Sequence, residues 1–395
     1  MFLLMFLLRT LYTTENVSRS SLEKLMANCT SRGRVKKTLA HEQPDRVPID
    51  IGGDAGIVPS TYEKLCKYLG IYDYEKPRGI WSVENIDERI LEKLGSDCRH
   101  ILIGSPQPER ISNGLWRQPW GFVLSKEGYC PAEYAPLKNA QTAKDIEKYP
   151  YWPDLEDPVF TEGKREEARR LYENTDYAIV AFAGYAGTTF HMYSYLRGFE
   201  NWLLDMKTNP EFYHALANKI ADIAIKISKR YFATVADYVD IIHYDEDMGS
   251  QISPLISIED FRKFVKPWMK RYHDEISKLT NAKFMLHSCG SVYPLINEFI
   301  EIGFDLLNPV QPRARNMEPE RLKEKFGEKL CFLGGIDTQR LLPFGTVSEI
   351  RKEVKRVVSI LGKAGGYIFA TSNEIPAGVP PRNIVALFEA AKEFG

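Results

Sequence analysis

Eight apolar runs, most followed by a helix-like stretch, constrain this chain more than any other feature. The runs are 46–52, 98–104, 177–184, 238–245, 283–287, 304–309, 330–334 and 366–371. Most are unbroken in Val, Ile, Leu and Phe rather than alternating with polar residues, which is the pattern of strands covered on both faces. Helix signals lie between them. Ser257 is placed as an N-cap, with Glu259 and Asp260 in the first turn. Phe261, Phe264, Val265, Trp268, Met269, Tyr272 and Ile276 then recur at helical spacing, and Pro267 predicts a kink. Thr346 and Glu349 make a capping box, Gly365–Gly366 reads as a helix stop, and a last helix follows Pro380–Pro381. Strands alternating with helices predict an α/β fold, a (β/α)8 TIM-type barrel. Residues 105–176 separate the second and third runs, far more than a crossover needs. They predict an insert between strands two and three, an aromatic hairpin or lobe over the barrel mouth.

Composition narrows the function classes. The chain has 395 residues, 44% of them hydrophobic, enough to build the core of one large barrel. A formal net charge of -1 gives no support to a nucleic-acid partner. Cys29, Cys66, Cys98, Cys130, Cys289 and Cys331 lie far apart with no C-x-x-C, as expected of reduced thiols in a cytoplasmic protein. The opening MFLLMFLL is too short to span a bilayer and lacks the flanks of a signal peptide, so no membrane partner is expected. Residues 1–31 are read as a poorly ordered extension, with Met26 an alternative start, and residues 32–395 as a single domain.

Polar residues follow five consecutive runs. They are His243, Asp245, Glu246, Asp247 and Gln251; His287 and Cys289; Asn308, Gln311 and Arg313; Asp337 and Gln339; Asn373 and Glu374. Any one could be an ordinary loop residue, but chemistry gathers at the C-terminal strand ends of such barrels. His287 and Cys289, two apart on a strand, point the same way. Imidazole and thiolate side by side suit zinc, yet two ligands are not a site. The pair equally suits a buried thiol beside a hydrogen-bonding histidine. Tyr244, Met248, Trp81 and Trp120 are assigned to packing, walls or a lid.

From about Arg32 to Gly395 the chain resembles the uroporphyrinogen decarboxylase (URO-D) superfamily. The carrying segments are DEDMGSQISPLIS, KP at 266–267, HSCGS, LNPVQ, FLGGIDTQ with LPFGT, GGYIF and VPPRNI, after an opening RVKKTLAHEQPDRVPID. The resemblance implies a (β/α)8 barrel with a deep cleft at its C-terminal face. One branch decarboxylates uroporphyrinogen, holding its carboxylates with arginines. Here no arginine lies between Arg46 and Arg78, and CRHILIG lacks that branch's aspartate. A substrate rich in carboxylates needs fixed cations, so both absences count against that activity.

The other branch resembles corrinoid-dependent methyltransferases, whose zinc enzymes use H-x-C and a later cysteine. His287 and Cys289 match, but the third position falls on Asn373, whose neutral amide is a poor ligand. Glu374 is the replacement put forward. The resemblance thus implies methyl transfer between a small methylated substrate, or a thiol acceptor, and a corrinoid. No D-x-H-x-x-G segment occurs, so the corrinoid is expected on a partner protein. Zinc would sit at His287, Cys289 and Glu374. Glu246, Asp245 and Asp247 are the expected catalytic acids, because demethylation needs a proton for the leaving group and crowded carboxylates hold one. A capping or salt-bridged acidic loop is the plain alternative. His243, Gln251, Gln311, Asp337 and Asn373 are expected to bind substrate, and a homodimer is allowed. The rival functions are uroporphyrinogen-type decarboxylation and non-catalytic binding of a tetrapyrrole or corrinoid.

Overall fold

The computed structural model describes residues 30–395 apart from 80, 113, 126, 127, 129 and 185–188. The expected extension therefore lies outside the described residues up to position 29. A helix begins at Ser31, with the Thr30 hydroxyl accepting from Gly33 N.

Seven of the eight runs form one parallel sheet. Its strands are β1 (Cys98–Leu102), β5 (Ala178–Phe182), β6 (Ile241–Asp245), β7 (Lys283–His287), β8 (Leu306–Val310), β9 (Cys331–Ile336) and β10 (Tyr367–Thr371), hydrogen-bonded in that order. Both faces are covered. Alternate residues of all seven strands, among them Cys98, Val180, Ile241, Met285, Leu306, Leu333 and Ile368, meet in one buried cluster. The opposite set, including Ile179, Ile242, Phe284, Leu307 and Phe369, joins the larger core under the helices. A flat sheet could not bring β1 and β10 into one cluster, so the sheet is curled.

The first run is a correction. Residues 46–52 form no regular strand; Ile49 makes a single parallel bridge to Phe369. Phe369 N donates to Pro48 O at 2.7 Å and Asp97 N to Ile49 O at 2.7 Å, so the segment is stitched between β10 and the residue before β1. Pro48 has no N–H for a ladder, and the Ile49 N–H goes to the Asp97 carboxylate at 2.8 Å.

Within 105–176, β2 (Glu109–Ser112), β3 (Leu115–Arg117) and β4 (Val123–Ser125) form a small antiparallel sheet. Lys126, Glu127 and Tyr129 of this insert lie outside the described residues. Trp120 is buried against Trp152, and Phe122 stacks on Tyr195 at 4.8 Å.

The helices that matter below are α1 (Phe190–Arg197), α2 (Pro210–Val235), α3 (Lys266–Ile276), α4 (Val347–Leu361) and α5 (Pro381–Phe394). Ser257 caps as expected. The irregularity expected at Pro267 is taken up one turn earlier, by a π turn over Phe261–Val265. The Thr346–Glu349 capping box starts α4, which ends at Leu361, before the glycine pair. No helix among the described residues is long and apolar enough to cross a membrane.

Candidate functional site

A parallel sheet brings the C-terminal ends of its strands to one edge, and the polar residues gather there. The loop after β6 and the loop after β7 touch backbone to backbone. Gly290 has φ +87°, and a Cβ on it would stand 2.5 Å from the Gly249 carbonyl carbon. Glu246 N donates to His287 O at 2.9 Å and Met248 N to Ser288 Oγ at 3.0 Å. This contact places Asp247 beside Cys289, whose N–H donates to Asp247 Oδ1 at 2.6 Å.

His287 is 5% exposed, with its two nitrogens facing different partners. Nε2 lies 3.3 Å from Cys289 Sγ and 3.6 Å from Asp247 Oδ1. Nδ1 bonds to Asn308 Oδ1 and lies 3.1 Å from Asp54 Oδ2. Two amides complete the surroundings of the sulfur: Gln311 Nε2 donates to it at 3.3 Å and Asn373 Nδ2 at 3.4 Å. Gln311 Oε1 accepts from Gly290 N at 2.8 Å, which fixes the amide.

The electrostatics are those of a crowded acidic pocket. Burial pushes the Cys289 thiol up to about 12, and the neighbouring Asp247 adds to this. Burial raises Asp245 to about 7 against the pull of His191 and His287. Burial also raises Glu374 to about 7, with Asp54 adding to it. Burial disfavours the charged forms of His287 and His191. Asp54 and Cys289 outweigh it at the first, Asp245 and Asp247 at the second, and both are raised. His243 is lowered by burial.

Expected site residues separate into three groups. Gln251, Gln311, Asp337, Asn373 and Glu374 line a cavity of about 480 Å³, with Val58, Arg313 and Phe344. Asp245, Asp247, His287 and Cys289 form the polar cluster. Glu246 belongs to neither, and His243 reaches the cluster through Asp54, 2.8 Å from its Nε2.

Glu246 is fully buried, and its carboxylate accepts from Phe190 N at 2.8 Å, His191 N at 3.2 Å, the Thr189 hydroxyl at 2.8 Å and the Tyr244 hydroxyl at 3.1 Å. Thr189 N donates as well. That is an anion holding the N-terminus of α1, with no lone pair to spare for substrate. His243 is 1% exposed, stacked on Phe182 at 4.2 Å, and lines no part of the cavity. Asp337 lines the cavity but also holds a turn, accepting from Gln339 N at 2.8 Å. No residue of the 105–176 insert lines it.

Asp247 stands as a candidate third ligand alongside the expected Glu374. Among the described residues, Asp247, His287 and Cys289 offer ligand atoms all within 4.8 Å of one another, and Glu374 joins no such set. Ligands of a tetrahedral zinc stand about 3.4–3.5 Å apart, given bonds of about 2.0–2.3 Å. The observed 3.3 and 3.6 Å fit. Thiolate, imidazole and carboxylate is a zinc donor set, and His287 has the hydrogen-bonded second nitrogen that metal-bound histidines show.

Sequence reasoning missed two residues. Asp54 follows the first run, in IDIGGD, and obeys the same strand-end rule as the others. His191 comes from a helix, where the rule gives no signal. Its Nδ1 lies 3.7 Å from Asp245 Oδ1 and its Nε2 3.9 Å from Asp247 Oδ2.

A curled parallel α/β sheet with a thiol, imidazole and carboxylate converging at its C-terminal strand ends defines a class of α/β enzyme-type folds. Residues 134–394 match the family model described as uroporphyrinogen decarboxylase (URO-D), and the chain belongs to that family. It is 26% identical over 250 residues to a methylated-thiol–coenzyme M methyltransferase of Methanosarcina mazei, 61% of either chain. It is also 26% identical over 233 residues to a uroporphyrinogen decarboxylase of Bacillus cereus, 56% of this chain and 60% of that one. The match thus spans less than two thirds of these relatives' length. A solved methyltransferase from Methanosarcina mazei superposes with a TM-score of 0.62 at 19% identity, covering 92% of this chain and 99% of that chain, which shows a shared fold.

Proposed function

We propose that this chain is a cytoplasmic methyltransferase that moves a methyl group between a small methylated substrate, or a thiol acceptor, and a corrinoid carried by a separate protein. In this reading the curled sheet is a (β/α)8 barrel whose eighth position is the extended segment 47–51. The observation that carries it is the convergence of Asp247, His287 and Cys289 at zinc-ligand spacing. Zinc held there would bind an incoming thiol as its thiolate near neutral pH.

The chain's own residues supply the rest. Asn308 and Asp54 hold His287 so that Nε2 faces the sulfur. The Gln311 and Asn373 amides donate to Cys289 Sγ and favour its anionic form. Asp245, 3.7 Å from His191, is held ready to give a proton to a leaving group or take one from a thiol. The cavity beside them orients the substrate. Among the described residues Arg313 is the one cation lining it, and it lies 3.7 Å from Asp337, which favours a small substrate over a carboxylate-rich porphyrinogen.

The test is to incubate the zinc-loaded protein with methylcobalamin and a small thiol and follow loss of the methyl-corrinoid absorbance. Loss that disappears in Cys289→Ala supports the reading. Decarboxylation of uroporphyrinogen with no thiol-dependent demethylation would replace it.

A further inference from the structure

We propose that Asp54, His243 and His287 form a second metal site, one that takes an octahedral ion and competes with the outer set for His287. The inference shares His287 with the zinc reading above but rests on different observations. Asp54 Oδ2 and both ring nitrogens of His243 are buried, and apart from the Asp54–His243 ion pair itself no group among the described residues satisfies them. His243 is 1% exposed. Leaving buried polar groups under-satisfied is costly. Here three ligand-type atoms converge: Asp54 Oδ2 stands 2.8 Å from His243 Nε2 and 3.1 Å from His287 Nδ1. A cation among them would satisfy a lone pair of each. The Asp54 side chain is 21% exposed.

The spacings separate the two sites. Ligands at right angles around an octahedral ion, with bonds of about 2.1 Å, stand about 3.0 Å apart. The inner contacts of 2.8 and 3.1 Å match that figure. The outer contacts of 3.3 and 3.6 Å match the wider tetrahedral figure of about 3.5 Å. Donor chemistry agrees. Two imidazoles and one carboxylate, with positions left open, suit ferrous iron, cobalt, nickel or manganese, whereas a thiolate selects zinc.

His287 makes the sites exclusive. A neutral imidazole has one lone pair. When Nε2 serves the outer site, the Nδ1 proton is donated to Asn308 Oδ1. When Nδ1 serves the inner site, the Nε2 proton is donated to Cys289 Sγ. The chain would hold one ion, and the tautomer of His287 would decide where.

Cobalt(II) is the probe, because its absorption distinguishes four- from six-coordination and a cobalt–thiolate bond adds a near-ultraviolet band. Metal-stripped wild type, Cys289→Ala and Cys289→Ala/His243→Gln would be titrated with cobalt(II) alone. Circular dichroism confirms that each is folded, and the conservative glutamine keeps the volume of the ring position largely filled. Cys289→Ala should still bind near one equivalent, without the thiolate band and with weak six-coordinate absorption. Adding His243→Gln should weaken binding at least tenfold. Loss of all cobalt in Cys289→Ala would overturn the proposal, and so would a double variant that binds as tightly as Cys289→Ala. A wild type without the thiolate band would count against the outer site alone, so the two readings fail separately.

Discussion

Asp247 Oδ1 stands 3.6 Å from His287 Nε2 while accepting the Cys289 N–H at 2.6 Å, so one carboxylate is locked against both halves of the H-x-C pair. In the proposed zinc site the third ligand is therefore Asp247, in the loop after β6, and not residue 373, where the resemblance implies it. Asp247→Ala should weaken zinc binding at least tenfold, as should Cys289→Ala, while Glu374→Gln leaves it within about twofold. Competition with a chromophoric chelator measures this. Zinc lost from Glu374→Gln and retained by Asp247→Ala would reverse the assignment.

Glu246 and Asp245 are neighbours with opposite duties. Glu246 is buried under five donors at the start of α1, and Asp245 faces His191 at the pocket. Removing a charged acceptor leaves buried N–H groups unpaired, so Glu246→Ala should lower the unfolding free energy by about 3 kcal/mol. Asp245→Asn should cost less than about 1 kcal/mol and slow methyl transfer about a hundredfold. Urea unfolding beside the demethylation assay distinguishes them. Full stability with lost activity in Glu246→Ala would restore it as the acid.

Much of this was legible in the chain. The run 283–287 is a strand at those residues, and six other runs became strands with ends shifted by a few positions. Long apolar runs identify themselves because both faces of each strand are buried. The run 46–52 misled because Pro48 and the demand of Asp97 for the Ile49 N–H prevent a ladder that hydropathy alone allows. The cavity residues Gln251, Gln311, Asp337, Asn373 and Glu374 were found by position at strand ends. Direction was not legible. Whether Glu246 or Asp247 faces the pocket depends on how two loops pack around Gly249 and Gly290, a long-range contact with no local signature. His191 was hidden for the same reason.

Glu374 carries a pH signature in the metal-free protein. Burial raises its carboxyl from 4.5 to about 7 in the folded chain. The folded state thus holds this proton more tightly than the unfolded state does. Below about pH 4 both states are protonated and the group contributes nothing. As pH rises towards 7 the unfolded state ionises first, so stability falls, and the loss is complete above that point. Glu374→Gln should therefore match wild type near pH 4 and exceed it by about 2 kcal/mol near pH 8, after discounting for partial exposure. Urea midpoints across this range test it. Equal stability at both ends would show that the carboxyl is not held protonated.

Asn373 stands where the resemblance to the family's zinc enzymes implies a second cysteine. Its Nδ2 lies 3.4 Å from Cys289 Sγ, close to the separation of about 3.8 Å between two sulfurs on one zinc ion. Residue 373 thus faces the position proposed for the ion, with an amide that donates to Cys289 Sγ. Asn373→Cys should supply a fourth protein ligand to the Asp247, His287 and Cys289 set and tighten zinc at least tenfold. It should also slow thiol-dependent methyl transfer, because the new thiolate fills the position an incoming thiol needs. Chelator competition and the demethylation assay, run on the same preparation, read both effects. Unchanged affinity would mean that the ion sits away from residue 373, on the Asp247 side of Cys289.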